Sequence, residues 1–456
     1  MKWIGASAIT LMAILFILDP TAAAVDPMAP PPAADPETRS VREHQRLLDD
    51  GDFQPPSDGW RLLTARDEIR PRAWVDSSVG YRRPGALALA GNGNLAAAGY
   101  WEKEVAVSSA TDYRITAFYR YREVPHPRQT IHARIDWRDK EGKRVGQPDY
   151  IAESYPAGEW RRVDRIVRAP EGAAGARIQL GYQWCAAGSA WWDDVRFSHV
   201  APPSPRTVRV ATIYHRPRGL KTASENVESF ARLIEQAATE RPDIICLPEG
   251  ITIVGNGLSY AAAAETIPGP STQRLGEMAR ALRAYIVAGL MERDGSVVYN
   301  TSVLIDRQGR LIGKYRKVYL PREEVEGGVT PGNDLPVFDT DFGRVGMMIC
   351  YDSFFADPAR ALAAKGAEII LMPIWGGDEL PRRARALENH LTLVTSSYDM
   401  RTGIINPRGE FIATDDQNRP IAVAEIDLDK TFPDRWLGDM RSRFHAERRS
   451  DLSLEP

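Results

Sequence analysis

The stretch GRVGMMICYDSFFADPARAL (residues 343–362) contains the pattern that decides the fold of the C-terminal half. Residues 345–349 form an apolar run, which is typical of a strand buried on both faces. Asp357 followed by Pro358 is an N-cap and first-turn pair, so we expect a helix soon afterwards. Cys350 therefore lies in a predicted turn between strand and helix. It could be a small core residue, half of a disulfide or a nucleophile.

The surrounding sequence alternates strand and helix patterns. Residues 208–215 predict a strand, residues 223–240 an amphipathic helix and residues 243–250 a buried strand. The same alternation continues to about residue 440, which favours a layered α/β domain over residues 207–440. Catalytic groups in such domains usually lie where strands end, because a rigid scaffold holds the loops there.

Three predicted strand ends place chemically useful side chains in loops. They are Glu249 in LPEG, Lys317 in GKYRKVYLP and Cys350 in MMICYD. Each has an ordinary alternative, since Glu249 could be a solvated carboxylate, Lys317 part of a basic surface and Cys350 a core residue. Together they supply a base, a cation for a developing oxyanion and a thiol, which is a workable acyl-transfer site.

The order and spacing of several motifs resemble the nitrilase superfamily of carbon-nitrogen hydrolases. The motifs are LPEG (247–250), TIPGP (266–270), VYNTSVLIDRQGRLIGKYRKVYLP (298–321), TPGN (330–333), FGRVGMMICYDSFF (342–355) and GAEIILMPIW (366–375). The resemblance implies a four-layer αββα sandwich and a catalytic triad of Glu249, Lys317 and Cys350. It also implies a supporting glutamate in the loop after the lysine, for which Glu326 is the first choice and Glu324 the second.

The resemblance further implies a mechanism with a cysteine thioester. Glu249 would deprotonate Cys350, and the oxyanion would rest against Lys317 and the backbone N–H of Tyr351. No metal or organic cofactor is expected for catalysis. Tyr351 and Asp352 after the cysteine favour the amidase and carbamoylase branches over the nitrile hydrolysers. The family's arginine shortly after this motif is absent from residues 353–356, which removes the basis for predicting a substrate carboxylate.

Two other functions stay open. An acyltransferase would pass the same thioester to an amine, and a glycan-binding protein with a degenerate hydrolase domain would do no chemistry. A cysteine peptidase needs a histidine base. Among the seven histidines, the candidate is His390, but it lies on a helical pattern. That position favours a structural histidine over a catalytic base.

The N-terminal half predicts a different, all-β fold. Short runs rich in β-branched and aromatic residues cover residues 113–121, 131–137, 160–169 and 176–184, with turn residues between them. This pattern favours a sandwich of Greek-key or jelly-roll type over residues 45–200. LLDDGDFQPPSDGW (47–60), YWEKEVAVSSATDYRITAFYR (100–120) and GSAWWDDVRF (188–197) resemble jelly-roll carbohydrate-binding modules with a galactose-binding-like fold.

That second resemblance implies two ligands for the module. One is a structural calcium ion near Asp50, Asp52 and Asp194, although these carboxylates could equally cap turns. The other is a glycan stacked on an exposed aromatic side chain. Core packing is the more usual role of each candidate tryptophan, and the candidates are Trp101, Trp137, Trp184, Trp191 and Trp192.

The chain ends and composition complete the predicted organisation. Lys2, the apolar stretch 3–18 and Ala22–Ala24 predict a signal peptide over residues 1–24, hence export, with an uncleaved membrane anchor as the alternative. A Pro/Ala-rich spacer (25–44), a linker (201–206) and a C-terminal tail (441–456) flank the domains. Residues 435–452 resemble C-terminal segments that support homodimers in the family. A net charge of −3 with scattered basic residues gives no reason to expect nucleic-acid binding. Cys246 is expected in a core and Cys185 belongs to the β-module, so neither is expected to be a redox partner of Cys350.

Overall fold

The structure is a computed structural model that describes residues 43–449, apart from positions 52, 56, 58, 153 and 416–418. The predicted signal peptide and most of the spacer lie outside the described residues. Within these limits, no helix combines the length and apolarity needed to cross a membrane.

Residues 43–200 form strands, with one short helix between them. The elements are β1 (Glu43–Asp50), β2 (Arg61–Leu63), β3 (Arg72–Asp76), β4 (Ala86–Ala90), β5 (Ala98–Ala106), β6 (Asp112–Arg122), α1 (Pro127–Thr130), β7 (Ile131–Arg138), β8 (Asp149–Ile151), β9 (Ser154–Ala157), β10 (Trp160–Arg168), β11 (Gly175–Gln183) and β12 (Ser189–Val200). β1 begins at Glu43, slightly before the predicted module boundary at residue 45.

These strands form two antiparallel sheets. One has the order β3-β4-β12-β6-β10-β9, with β1 added along the second half of β12, and the other has the order β2-β5-β11-β7-β8. Alternate side chains of both sheets meet in one apolar cluster, as the period of two along a strand dictates. Trp101, Trp137 and Trp192 lie in this core, and Trp191 is buried in a second cluster with Trp160. Trp184 differs, because 55% of it is exposed.

Residues 207–449 alternate strands and helices. The elements are β13 (Thr207–Ile213), α2 (Ala223–Ala237), β14 (Ile244–Cys246), α3 (Tyr260–Ala263), α4 (Pro270–Leu282), β15 (Tyr285–Asp294), β16 (Val297–Ile305), β17 (Leu311–Arg316), α5 (Arg322–Glu326), β18 (Val337–Asp339), β19 (Arg344–Met347), α6 (Asp357–Ala364), β20 (Ile369–Pro373), α7 (Glu379–Asn389), β21 (Thr392–Ser396), β22 (Gly403–Ile405), β23 (Phe411–Thr414), β24 (Ile421–Asp427) and α8 (Met440–Glu447).

Two six-stranded sheets organise this half, with orders β17-β16-β15-β14-β13-β24 and β18-β19-β20-β21-β22-β23. β13, β14 and β15 pair in parallel, and so do β19, β20 and β21. One apolar cluster contains residues of both sheets, including Val287 and Leu371. The parallel strands are buried on both faces, which explains their continuous apolar runs in the sequence.

Helices cover the other face of each sheet. α2 and α4 pack on the first sheet through one cluster, and α6 and α7 pack on the second through another. α2 begins where the sequence predicts because Thr222 and Glu225 form a capping box, with Thr222 Oγ1 accepting from the Glu225 N–H at 3.1 Å.

The C-terminal helix α8 joins the two halves. It packs against β8 and α1 of the N-terminal half. Asp439 at its start accepts a 2.7 Å hydrogen bond from Arg165 of β10, and Arg441 donates to Glu368 of the C-terminal half at 2.9 Å. Glu368 also binds Arg206 of the predicted linker at 2.7 Å. The tail segment that resembles a dimerisation element therefore makes contacts within its own chain.

Candidate active site

Glu249 lies in the turn that follows β14. Its side chain is 3% exposed, and its main-chain carbonyl accepts a 2.8 Å hydrogen bond from the hydroxyl of Tyr398. Gly289 of the neighbouring strand packs so closely that a β-carbon there would lie 2.6 Å from Glu249 Cα. A glycine at position 289 therefore lets the two segments approach and fixes where the carboxylate lies.

Lys317 follows β17 directly, and its N–H donates to the main-chain oxygen of Asn300 at 2.9 Å. Its ammonium group is 1% exposed and donates to Glu249 Oε1 at 2.8 Å and to Glu324 Oε1 at 2.6 Å. Burial alone would lower the pKa of Lys317, but the carboxylates of Glu249 and Glu324 outweigh it and raise the pKa. The side chain is therefore a buried cation held between two carboxylates.

Asn300 connects the same two carboxylates. Its Nδ2 donates to Glu249 Oε1 at 2.7 Å and to Glu324 Oε1 at 3.1 Å. Sequence reasoning missed this residue, although a polar side chain inside the apolar run of VVYNTSVLID was an available signal. Because Oε1 of Glu249 receives both bonds, its Oε2 is left buried with no hydrogen-bond partner in the described structure. That oxygen is free to accept a proton.

Cys350 begins a 3₁₀ turn that spans Cys350–Phe354, and its φ is +42°. Few non-glycine residues adopt positive φ, so the surrounding structure must impose it. Asp352 does so from inside the turn, accepting from the Ile349 N–H at 2.8 Å, the Tyr315 hydroxyl at 2.6 Å and the Tyr319 N–H at 3.0 Å. The last two bonds connect the cysteine turn to the segment that carries Lys317.

Electrostatics couple Cys350 to the other groups. Burial raises the pKa of its thiol to about 12; the Glu249 carboxylate adds to the rise and the Lys317 ammonium opposes it. Burial also raises the pKa of Glu324 to about 7 against the effect of Lys317. Burial raises the pKa of Asp352 to about 6, although its hydrogen bond with Tyr315 works in the opposite direction. Shifts of this size cluster at functional sites.

The structure reverses the preference between the two loop glutamates. Glu326 points to solvent and pairs with Arg322 one helical turn away at 2.7 Å, whereas Glu324 reaches Lys317. Both lie on α5, and two positions along a helix face different directions, so only one of them can turn inward. Tyr351 is partly exposed, with its ring 5.5 Å from that of Phe355. α6 begins at Asp357 with Ala356 as its N-cap, one residue before the predicted cap.

The remaining candidates lie apart from this cluster. His390 ends α7 with its ring beside Phe444. Cys246 is buried between the two sheets, where burial raises the pKa of its thiol, and Cys185 is buried in the N-terminal half. All three cysteines are free thiols.

The predicted calcium residues carry other partners. Asp50 accepts from Lys103 at 2.6 Å and from Trp60 at 2.8 Å, and Asp194 pairs with Arg196 at 2.7 Å. Asp52 lies outside the described residues. Within the described part, no group of three or more metal-binding side chains is assembled. A calcium ion at this place would therefore compete with Lys103 and Arg196 for carboxylate oxygens.

A partly exposed thiol beside a buried carboxylate and a buried ammonium, at the ends of strands in a two-sheet α/β unit, defines a class of nucleophilic enzymes. The carbon-nitrogen hydrolase family model matches residues 209–435. Omega-amidase NIT2 from Homo sapiens is 32% identical over 257 residues, covering 50% of this chain and 91% of the human protein. The Xenopus tropicalis omega-amidase is 31% identical over 260 residues, covering 50% and 91%.

Among solved structures, an amidase from Nesterenkonia sp. is 22% identical with a TM-score of 0.45, covering 54% of this chain and 94% of the amidase. The chain belongs to the carbon-nitrogen hydrolase family, within the nitrilase superfamily. It is a carbon-nitrogen hydrolase. Its N-terminal half lies outside the family match.

Proposed function

We propose that this protein hydrolyses linear amide or carbamoyl carbon-nitrogen bonds through a thioester on Cys350. Glu249 takes the thiol proton while the sulfur bonds to the carbonyl carbon and the π electrons move to oxygen. As the tetrahedral intermediate collapses, the C–N bond breaks and ammonia or an amine leaves with the proton from Glu249. Water then adds to the thioester, giving its proton to Glu249, and the acid is released as the thiol reforms.

The observation that carries this proposal is the distribution of bonds around Glu249 and Lys317. Glu249 has one oxygen bound by Lys317 and Asn300 and one with no hydrogen-bond partner among the described residues, as a proton acceptor requires. Lys317 has three N–H donors, of which two bind Glu249 and Glu324, so one is left for an oxyanion. The Tyr351 N–H is proposed as the second donor. Loss of one such donor typically costs about 3 kcal/mol in the transition state.

A panel of linear amides tests the proposal. The intact protein should release ammonia and carboxylic acid in equal amounts, and Cys350→Ala should reduce the rate to background. Cys246→Ala is the matched control, because it removes a buried thiol that lies between the sheets. Its activity should stay close to that of the intact protein. Equal ammonia release by the intact protein and Cys350→Ala would refute the assignment.

The acyltransferase alternative uses the same acyl-enzyme and differs in the acceptor. Product that forms only when an amine is added would favour transfer, whereas free acid without an amine favours hydrolysis. Detecting the Cys350 thioester in the intact protein by acid quench and mass spectrometry would separate both enzymes from a degenerate, non-catalytic protein.

The finer architecture is part of the proposal. We infer a four-layer αββα sandwich for residues 207–440, supported by three apolar clusters that lie between the sheets and beneath the helices. A jelly-roll fold is proposed for the N-terminal module, supported by two antiparallel sheets around one core. A homodimer is also proposed, and sedimentation equilibrium of the full chain tests it.

For the module, one observation favours glycan binding. Trp184 has φ +56° and exposes 55% of its surface at the end of β11. A cavity of about 460 Å³, lined by Arg72, Arg122 and Ala186, lies at the same end of the module. An exposed indole can stack on a sugar ring.

Trp184→Ala should abolish retention on a polysaccharide gel, while Trp436→Ala, which removes an exposed tryptophan elsewhere, should not. No retention of the intact protein across a broad panel would end this proposal.

Export and calcium binding are proposals as well. Expression of the full chain in a Gram-negative host should yield a mature protein beginning at Val25 outside the cytoplasm. An intact N-terminus in the membrane fraction would favour the anchor.

Titration of the mature protein with calcium, followed by thermal unfolding, tests the ion at Asp50, Asp52 and Asp194. An unchanged midpoint of thermal unfolding would exclude it.

A further inference from the structure

Arg382 is a fully buried arginine on α7. Its Nη2 donates to the main-chain oxygen of Gly376 at 3.1 Å, and its Nη1 donates to that of Asp378. The ring of Phe354 lies 5.1 Å from the guanidinium carbon. Its Nε has no hydrogen-bond partner in the described structure. The side chain is therefore held by two carbonyls and an aromatic ring, and among the described residues its Nε nitrogen has no acceptor.

The loop that holds Arg382 also contacts Cys350. The sulfur of Cys350 lies 3.7 Å from the Gly376 oxygen that accepts from Arg382. Gly377 has φ +118°, and a β-carbon there would lie 3.1 and 3.2 Å from the two terminal guanidinium nitrogens. The loop can wrap this closely because position 377 is glycine. The guanidinium of Arg382 and the sulfur of Cys350 therefore both lie against the same main-chain oxygen of Gly376.

The charge of Arg382 has no matching carboxylate. No aspartate or glutamate of the described chain forms a salt bridge with it, and its neighbours are main-chain carbonyls. Burial lowers the pKa of Arg382, but an arginine stays protonated at neutral pH. A buried charge is costly unless an anion offsets it. The thiolate of Cys350 is an anion that forms beside it.

Without Arg382, the charged groups around Cys350 carry too little positive charge to stabilise a thiolate. The charges of Glu249 and Lys317 act on the sulfur, Asp352 lies within its own turn and Glu324 binds Lys317. One ammonium group shared by two carboxylates leaves net negative charge when both are ionised. Negative charge beside a thiol disfavours the thiolate.

We propose that Arg382 is a positioning residue that stabilises the thiolate of Cys350 and fixes the Gly376 loop against its sulfur. This inference rests on Cys350 being the nucleophile of the proposed function. Since Arg382 has no exposed surface, it acts on the sulfur and the loop, not on substrate.

The pH dependence of Cys350 alkylation by iodoacetamide tests the proposal without any substrate. Arg382→Gln should raise the apparent pKa of the thiol by about one unit, which is a tenfold lower alkylation rate at pH 7. Arg382→Lys should show a smaller shift because it retains the charge. Arg383→Gln is the matched control, since Arg383 is the next residue on α7 and donates to Gly409. Mass spectrometry identifies the alkylated cysteine.

If Arg382→Gln does not fold, Arg382→Met replaces it, because methionine fills similar buried space. We expect the same rise in the apparent pKa of the Cys350 thiol. The proposal would be overturned if a folded Arg382→Gln or Arg382→Met variant showed the same apparent pKa for Cys350 alkylation as the intact protein. So would an unchanged titration combined with a raised KM for anionic amides, because that result would make Arg382 a substrate anchor. Alkylation needs no turnover, so a failed amidase assay and a failed Arg382 proposal are separate results.

Discussion

The ammonium group of Lys317 lies 2.6 Å from Glu324 and 2.8 Å from Glu249, so one buried cation joins a carboxylate of α5 to a carboxylate in the turn after β14. A buried cation between two carboxylates has a fixed position, because leaving either carboxylate unpaired would be costly. The arrangement orients the lysine, and it uses two of the three N–H groups of the ammonium.

Glu324 and Glu326 form a matched pair for mutation. Glu324→Gln removes an ionic bond to Lys317. We expect kcat to fall by about 100-fold, the upper end of the loss seen when a residue that orients a functional side chain is removed. Glu326→Gln breaks an exposed pair with Arg322, which is worth at most about 1 kcal/mol of stability. Its kcat should stay within about twofold of the intact protein. Steady-state kinetics check both, and equal losses would contradict the placement of Glu324.

Asn300→Ala removes the amide shared by the two carboxylates. We expect a loss of about 1–3 kcal/mol in the free energy of unfolding, because buried oxygens lose their donor, and a drop of kcat/KM by 10- to 100-fold. Asn226→Ala is the control, since its buried Nδ2 donates to Val254 at 2.8 Å away from the site. It should lose similar stability and keep its activity. Urea unfolding and kinetics separate the two effects, and full activity in Asn300→Ala would count against a positioning role.

The raised pKa of Glu324 predicts a pH-dependent stability. Because its folded-state pKa is about 7 and its usual value is 4.5, its contribution to folding is fully present below pH 4.5 and is lost as the pH rises through 7. The stability of the intact protein relative to Glu324→Gln should therefore fall between pH 4.5 and 7, by about 1–3 kcal/mol. Urea unfolding of both proteins at several pH values measures this difference. Glu326→Gln should show no such trend; a difference that grows with pH would have the wrong sign.

The contact between Arg165 and Asp439 predicts coupling between the two halves. The pair is mostly buried, with side chains 17% and 13% exposed. Arg165→Gln should lower the stability of the docked module by about 1–2 kcal/mol and separate the two unfolding transitions in calorimetry. Arg168→Gln breaks an ion pair within the module whose arginine is 60% exposed, so its effect should stay below about 1 kcal/mol. A single unchanged transition in Arg165→Gln would show that this contact does not couple the halves.

The sequence by itself determined the alternation of strands and helices, the strand-turn-helix setting of Cys350 and the three strand ends that carry Glu249, Lys317 and Cys350. Apolar periodicity and turn residues are local signals. That these strand ends come together is not local, because Glu249 and Lys317 follow strands of one sheet and Cys350 follows a strand of the other. The family match then needed motifs in the correct order, which a linear sequence records directly.

Only the tertiary structure decided which polar side chains complete the site. Glu324 and Glu326 are two residues apart on one helix, and the packing of that helix turns one inward and leaves the other in solvent. Arg382, Ala386 and Asn389 share the buried face of α7 at helical spacing, yet nothing in that spacing shows that Arg382 ends beside Cys350. Contacts between loops far apart in sequence depend on how the sheets and helices pack, and that packing is set by the whole chain.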